Sequence, residues 1–538
     1  MGEIDDLIHQ GLQLLREARH ADAFTVFEAA SDQGSSYARY MTALMYDSGL
    51  GTEADKDKAL ALYLSAAELG DADAQAKVGG LYIFGGLVDI DHEKAAYWFE
   101  KAASQGNTTA INDLGNMYIS GMYFDKDVTK AISLYRLAAS LGDDDGKLNY
   151  GSHLLKSDDP NLVAQGVSLL TEAAESGQVK AQTTLGLLYV QGDLVERDLG
   201  RSFHYFQAAS EGGDEDGIIG LGMSYLNGYG CQKDGAKAVE LFELAASMGS
   251  AQAQFNAAWH YHVGAHVDVD HDRAMHWYLE AARQGNAGAI RGVGQMYELG
   301  QGGVSKDLER AAELYMKAAG LGDLIAQYNL GVFYEYGEGV PIDYETAAFY
   351  LEQSADQGHA SAQLNLGLLY RKGLRGIPDY HRAIYWLQMA ADAGHPKAFG
   401  AIGELYLNGF GVDKSLEKAI HYIEQSAAQG DAASQYNLSI LLTKHNDDHS
   451  IHKSAQYWLR EAATQGLAQA QIDLGALLLR EDAQGNLAEG YMWVLLGAHN
   501  GDDRGDGLRS YCEQNLSEQV LDEGYSRFVA FQKPQLNG

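Results

Sequence analysis

Apolar, small and polar positions recur along this chain with a period of about 36 residues. The clearest marker is a pair of small residues followed a few positions later by glycine, first seen in AASDQG and AAELGD. The closing glycines are Gly34, Gly70, Gly106, Gly142, Gly177, Gly212, Gly249, Gly285, Gly322, Gly358, Gly394, Gly430 and Gly466. A period held over this length predicts stacked repeats, each too small to bury its own apolar face.

The spacing inside each period predicts two helices. In the first helix, Ala, Leu and Tyr follow at intervals of four residues, as at Ala326, Leu330 and Tyr334, which places them on one helical stripe. A glycine directly after the Leu costs about 1 kcal/mol in a helix, so its recurrence predicts close approach of a neighbouring helix backbone. We name these residues the glycine column: Gly79, Gly115, Gly151, Gly186, Gly222, Gly294, Gly331, Gly367, Gly403 and Gly475.

Two further signals predict where the helices end and begin. A glycine six residues after the glycine column predicts that the first helix ends in the left-handed backbone conformation. It occurs as Gly49, Gly85, Gly121, Gly192, Gly228, Gly264, Gly300, Gly337, Gly373 and Gly409. An Asp three residues before a Lys or Arg, as in Asp91 with Lys94, predicts a capped start of the second helix with an ion pair within reach.

The combined pattern, AxxxLGxxYxxGxGVxxDxxKAxxYxxxAAxxG, resembles the Sel-one-like repeat family, a relative of tetratricopeptide arrays. The resemblance covers essentially the whole chain and implies an all-α, right-handed superhelical α/α solenoid of about fourteen helix pairs with a C-terminal helical cap. It divides the chain into a cap-like helix pair (1–34), a continuous array (35–501) and a capping helix with a tail (502–538). It also implies a non-catalytic scaffold or adaptor with a groove for peptides or partner proteins.

Charge narrows the class of partner. Lys and Arg number 39 against 74 Asp and Glu, which gives a formal net charge of −35; nucleic-acid backbones and anionic lipid surfaces are repelled by such a chain. We expect protein or peptide partners, including ones with basic surfaces, and no nucleic acid. The chain has no long apolar run and no secretory signal pattern, and its two cysteines are far apart in the sequence. We therefore expect a cytoplasmic protein without membrane insertion.

Histidines gather between residues 260 and 276, namely His260, His262, His266, His271 and His276. A hydrolase-like or metal-binding enzyme that uses this region is the alternative function. The spacing argues against it, because residues two apart on a helix point about 200° away from each other, whereas paired ligands need an offset of three or four. A second cluster is His445, His449 and His452. We predict solvated histidines in both, with no catalytic residue, metal or cofactor.

A binding groove is predicted on the face of the first helix opposite its Ala, Leu and Tyr stripe. Relative to the glycine column, this face consists of positions −3, +1 and +4. In the middle repeats it becomes aromatic and charged, as expected of a helix-lined groove that accepts peptides. The predicted groove residues are Phe255, Trp259, His262, Arg291, Glu298, Tyr328, Glu335 and Arg371. The alternative is ordinary packing between neighbouring helices, with exposed charges at its edge.

An amide column lies two positions before the glycine column. Its members are Asn256, Asn329, Asn365 and Asn437, with Asn149 and the acids Asp113 and Asp473 in register. An amide both donates and accepts, so a ladder of amides can bond a peptide backbone whatever its side chains. The tetratricopeptide resemblance implies such peptide contacts at a similar place. The alternative is an asparagine bonded to its own loop.

Overall fold

The computed structural model of the protein describes residues 2–445, 449–480 and 486–532, and all regular structure in these ranges is helical. The chain divides into two compact units, Met1–Val269 and Asp270–Gly538. Within each unit, consecutive helices pack as pairs, and each pair packs on the next. The predicted all-α repeat fold is confirmed, whereas the division at residues 34 and 501 stays a prediction.

The first unit contains seven helix pairs and the first helix of an eighth. Its helices are α1 Gly2–Arg16, α2 His20–Asp32, α3 Ser36–Ser48, α4 Lys56–Glu68, α5 Ala72–Phe84, α6 His92–Ser104, α7 Thr108–Ser120, α8 Val128–Ser140, α9 Asp144–Leu154, α10 Pro160–Glu175, α11 Val179–Gln191, α12 Leu199–Glu211, α13 Glu215–Asn227, α14 Gly235–Ser247 and α15 Ala251–Val263. Odd-numbered members are the first helices of their repeats.

The second unit begins with the second helix of a repeat and continues in the same alternation. Its helices are α16 His271–Arg283, α17 Ala287–Leu299, α18 Leu308–Gly320, α19 Leu324–Tyr336, α20 Tyr344–Asp356, α21 Ala360–Lys372, α22 Tyr380–Asp392, α23 Pro396–Asn408, α24 Leu416–Ala428, α25 Ala432–His445, α26 His449–Thr464, α27 Ala468–Arg480, α28 Asn486–His499, α29 Arg504–Asn515 and α30 Glu518–Gln532.

Aspartates cap the second helices as predicted. The Asp91 carboxylate accepts a hydrogen bond from the backbone N–H of Lys94 at 3.0 Å, and Asp234 does the same for Lys237. The predicted ion pair forms between Asp91 and Lys94 at 3.2 Å. Lys237 instead lies over the ring of Tyr225 on the preceding helix, 4.3 Å from its centroid, and donates to its hydroxyl. The basic residue therefore also fastens the second helix to the first.

Eight first helices end at a glycine in the left-handed region, as predicted: Gly49, Gly121, Gly192, Gly228, Gly264, Gly300, Gly337 and Gly409. Gly85 and Gly373 correct the prediction. Both have positive φ, 74° and 92°, but ψ values of −157° and 124° lead the chain into an extended loop. In other loops the next glycine commonly follows two residues after the first, whereas here Gly86 follows Gly85 directly and Gly376 follows Gly373 after three residues.

The glycine column makes room for large side chains of the second helices. A Cβ atom on Gly79 would lie 2.6 Å from the ring of Phe99, which is buried. The prediction named a helix backbone as the close neighbour, but in most repeats the nearest atom belongs to a side chain. At Gly151 the close neighbour is the backbone of the second helix, because the carbonyl oxygen of Gly166 would lie 3.0 Å from an added Cβ. The difference arises because most second helices place Phe, Tyr, Leu or Ile opposite the column.

Two helices, rather than one capping helix, follow the last repeat. Leu516 has extended φ and ψ angles of −98° and 153°, which end α29 before α30 begins. Helix α30 packs on α28, where the ring of Phe531 meets Trp493 with 5.3 Å between centroids. A terminal repeat has no successor to cover its apolar surface, and α30 supplies that cover.

Candidate binding face on the first helices

The first-helix face is defined here as positions −3, −2, +1 and +4 relative to the glycine column. In α19, Tyr328, Val332 and Glu335 on this face are partly exposed. Ala326 and Leu330 on the opposite stripe are fully buried. The structure thus gives the first helix the orientation that its periodicity predicts, with one face in the core and one toward solvent.

Hydrogen bonds join the first-helix faces of consecutive repeats. A residue at −3 in one repeat bonds a residue at −2 in the next, 37 positions later. These bonds connect Asn149 to Asn112 at 2.9 Å, Asn365 to Tyr328 at 3.5 Å and Tyr436 to Asp473 at 2.7 Å. The face therefore serves repeat stacking as well as being accessible.

In the first unit, the three predicted groove residues of α15 differ in accessibility. Trp259 is 44 % exposed, and its ring meets His260 edge-on at 4.9 Å. Phe255 is half-buried. His262 is only 9 % exposed, so its side chain offers little surface to a partner. Trp259 is the accessible member of this group.

In the second unit, Arg291 and Glu298 of α17 are engaged inside the chain. The Arg291 guanidinium pairs with Asp323 at 3.1 Å, and this aspartate also caps α19. Glu298 accepts a hydrogen bond from the Tyr315 hydroxyl of α18. These contacts support the packing interpretation for both residues, because Arg291 has a counter-charge and Glu298 has a hydrogen-bond donor within the second unit.

Tyr328, Glu335 and Arg371 lie nearer to solvent. The Tyr328 ring contacts that of His359 at 4.8 Å, and Arg371 pairs with Glu404 of α23 at 2.7 Å while keeping 34 % of its side chain exposed. Burial raises the pKa of the half-buried Glu335, and Lys372 partly opposes that shift. These three side chains combine internal contacts with accessible surface.

Members of the amide column bond neighbouring helices or neighbouring turns. Asn256 accepts from Gln252 at 2.9 Å on the same helix, and Asn365 donates to Tyr328 as described above. Asn329 faces the Tyr315 hydroxyl and partly opposes the rise in its pKa that burial causes. Asn437 is half-buried on α25. The bonds of Asn256 and Asn365 join a residue of the same helix or of the preceding repeat, not the loop that follows, so these contacts do not support the local-loop alternative.

Sequence reasoning missed a second column of amides, four positions before the glycine column, which we name the glutamine column. Gln75 donates to the carbonyl of Ala67 near the end of the preceding second helix, at 3.1 Å, and accepts from Gln105 at 2.8 Å. Buried carbonyls at a helix end need such partners. Equivalent donors are Gln182, Gln254, Gln327, Gln363, Gln435 and Gln471. The recurring AxAQ and similar segments were the signal.

The histidines between residues 260 and 276 do not build a metal site. The His260 ring stacks on Phe242, its Nδ1 lies 3.0 Å from the Ala265 carbonyl oxygen, and burial lowers its pKa. Across residues 2–445, 449–480 and 486–532, no group of three His, Cys, Asp or Glu side chains is placed to hold a metal ion. The side chains of the second cluster, at His445, His449 and His452, lie outside the described residues.

Comparison with known families decides the identity of the repeat. The Sel1 repeat model matches residues 36–71, 72–107, 108–143, 179–214, 216–250, 251–286, 287–323, 324–359, 360–395, 401–431 and 432–467. The chain belongs to the Sel1 repeat family. Membership supports a scaffold for protein–protein interactions as the class of function, in agreement with the sequence-based expectation.

Solved structures of other Sel1 repeat proteins are similar to this chain. A protective antigen of uropathogenic Escherichia coli, described as having an SLR fold, is 26% identical with a TM-score of 0.61, over 88% of this chain and 94% of that one. A Sel1 repeat protein from Oxalobacter formigenes is 29% identical with a TM-score of 0.46, over 58% of this chain and 90% of its own.

A search of curated proteins finds no match. In the part of the chain that the structure describes, no helix is both long and apolar enough to span a membrane.

Proposed function

We propose that this Sel1 repeat protein is a cytoplasmic, non-catalytic scaffold that binds partner proteins or peptides on its first-helix face. The observation that carries the proposal is the partial exposure of this face in repeat after repeat, opposite a buried stripe. Helix-lined surfaces of this kind accept extended or helical peptides. Such a surface offers many modest contacts in a row, rather than one cavity that concentrates reactive groups.

The residues proposed to meet a partner are those that keep accessible surface. Trp259, Tyr328 and Arg371 are of the types that dominate interface energies, and Glu335 adds a partly exposed carboxylate in the second unit. An amide that forms one hydrogen bond inside the chain has further donors and acceptors for a peptide backbone. The proposal therefore still includes Asn256, Asn329, Asn365 and Asn437. Arg291 joins its repeat to the N-terminus of α19 through Asp323, and Glu298 joins the two helices of its own repeat through Tyr315.

The net charge of −35 favours partners with basic surfaces and disfavours nucleic acids. A cytoplasmic location suits the two free cysteines, one of which, Cys512, is buried with its pKa raised to about 11 by that burial. Such a thiol remains protonated and unreactive near neutral pH.

Site-specific cross-linking in cells tests the proposal. A photo-reactive phenylalanine analogue replaces Trp259 or Glu335 on the first-helix face, and Tyr385 of α22, which is 58 % exposed on a second helix, is the matched control. We expect reproducible cross-linked partners from the first two positions and none from Tyr385, recovered in the cytoplasmic fraction. Equal capture at Tyr385, or no capture from the first-helix face, would contradict the proposal.

A further inference from the structure

We infer that a pocket between α3, α5 and α7 in the first unit binds an arginine or lysine side chain of a partner peptide, next to an apolar residue of that peptide. The inference rests on the proposed function and specifies one site on the first-helix face. This N-terminal pocket has a volume of about 380 Å³. Its lining includes Asp73, Ala76, Lys77, Gly80, Phe84 and Asp113.

The acids of the N-terminal pocket lack basic partners. Asp73 accepts from the neutral amide of Asn107 at 2.8 Å, and Asp113 from that of Asn116 at 3.4 Å. Among the described residues, no Lys, Arg or His nitrogen lies within 4.0 Å of the Asp113 carboxylate. A half-buried carboxylate without a counter-ion favours a cationic ligand, because a charge-assisted hydrogen bond is stronger than a neutral one.

The one basic residue that lines the pocket is directed elsewhere. The Lys77 ammonium lies 3.5 Å from the carboxylate of Asp47 and 5.4 Å from the centroid of the Tyr63 ring. Asp47, which lies outside the pocket lining, also pairs with Lys56 at 2.6 Å. The lining contains two carboxylates and this one ammonium, so its net charge is negative.

The second unit shows how a carboxylate at this position binds a guanidinium. Asp473, at the same −2 position as the pocket acid, accepts from Arg504 at 2.7 Å and from the Tyr436 hydroxyl at 2.7 Å. Counted from the closing glycines, the equivalents of Tyr436 and Arg504 in the first unit are Ala76 and Asp145. Both partners are thus missing there, and an acid stands where the arginine would be. Ala76 lines the N-terminal pocket, so the volume that a tyrosine ring would fill at this position is left open.

The shape of the pocket favours an apolar residue beside the cation. Phe84 at its rim is 84 % exposed, so its ring can cover an apolar neighbour or the stem of a long basic side chain. Nothing lies within 4 Å of the place where a Cβ on Gly80 would be, so this part of the lining is open. The expected ligand is therefore a short segment in which Arg or Lys adjoins an apolar side chain.

Selection from a random peptide library on the full chain tests this inference. Enriched peptides are synthesised with a fluorophore, and their affinities are measured by fluorescence anisotropy. We expect the enriched sequences to share Arg or Lys beside an apolar residue. Replacing the arginine by citrulline, which has the same shape without the charge, should weaken binding by at least about tenfold.

Two variants and a control locate the site. Asp113→Asn should weaken the selected peptides by at least about tenfold, whereas Asp125→Asn, which removes an exposed charge in the same unit, should leave affinity unchanged. The double variant Ala76→Tyr with Asp145→Arg reproduces the residues of the second unit and should abolish binding. Thermal unfolding of each variant confirms that it is folded.

Peptides without a cation, or affinities that stay the same in Asp113→Asn and in the double variant, would overturn the inference. A library that yields no binder would overturn it as well. None of these three results removes the scaffold proposal, because cross-linking from Trp259 and Glu335 tests that proposal separately, at positions outside the N-terminal pocket.

Discussion

Asp113 in the first unit and Asp473 in the second occupy the same position of the repeat, yet their surroundings are opposite. Asp473 is held by Arg504 and Tyr436. Asp113 has an amide as its partner, and burial, with Asp145 and other acids nearby, raises its pKa to about 6. The comparison teaches that residues one repeat away decide whether a carboxylate becomes a link between helices or an unmatched charge open to a ligand.

The largest expected effect is an opposite response of the two acids to the same substitution. Holding Asp113 ionised in the folded state, where its pKa is raised from 3.8 to about 6, costs about 2 to 3 kcal/mol of stability at pH 8. Asp113→Asn removes this charge and should raise the free energy of unfolding by about the same amount. Asparagine already stands at this position in other repeats. Asp473→Asn should lower stability by about 1 kcal/mol, since its ion pair with Arg504 is half-exposed.

The effect at Asp113 should depend on pH with a defined sign. Its raised pKa means that the folded state holds the proton more tightly than the unfolded chain. Ionisation therefore costs stability as the pH rises from about 4 to about 6, and the cost stays constant above that range. Denaturant unfolding at pH 8 and pH 4 should show the gain of Asp113→Asn at the first pH and little of it at the second. Equal gains at both would contradict the assignment.

Two adjacent glycines sharpen the contrast between filled and open space. A Cβ on Gly79 would lie 2.6 Å from the Phe99 ring, whereas one on Gly80 would meet nothing within 4 Å. Gly79→Ala should lower the free energy of unfolding by about 1 to 3 kcal/mol through overpacking. Gly80→Ala should raise it by about 0.5 to 1 kcal/mol through helix propensity. Denaturant unfolding of both variants, with circular dichroism, checks the opposite signs.

The smallest expected effect extends the comparison to the glutamine column. Gln327 accepts from Gln357 thirty residues later at 2.8 Å. The buried side-chain oxygen of Gln363 has no hydrogen-bond partner in the part of the chain that the structure describes, and Ala393 stands at the equivalent position. Ala393→Gln should therefore stabilise the protein by about 0.5 to 1.5 kcal/mol. Gln357→Ala is the matched control and should lose a similar amount. If thermal unfolding shows Ala393→Gln to be no more stable than the original protein, a glutamine at the equivalent position is not sufficient to form the hydrogen bond to Gln363.

Most of the fold could be predicted because its determinants are local and repeated. Glycine ends, aspartate caps and the stripe of Ala, Leu and Tyr each act within one helix or one turn, and twelve intervals of nearly equal length reinforce one another. The orientation of the first-helix face also followed from helical geometry. The break at Leu516, which separates α29 from α30, lies beyond the last repeat and had no such pattern to reveal it.

The partners of individual side chains could not be predicted in the same way. Arg291 forms an ion pair with Asp323, 32 residues later, and Arg371 forms one with Glu404, 33 residues later, each across a repeat boundary. Such pairs depend on how far one helix is offset from the next, which periodicity within a helix does not specify. Comparing columns one period apart would have revealed the bond between positions −3 and −2, and with it the gap beside Asp113.

The glutamine column has a consequence for how this chain can change in length. Each glutamine bonds a carbonyl eight residues earlier and, in several repeats, an amide about thirty residues later. Among the described residues, none of these bonds reaches past the adjoining repeat, so duplication or deletion of one whole period would keep the same register of partners at each junction. A family built on this rule can lengthen its binding surface by copying repeats, while a loss of a few residues inside a period would break two junctions at once.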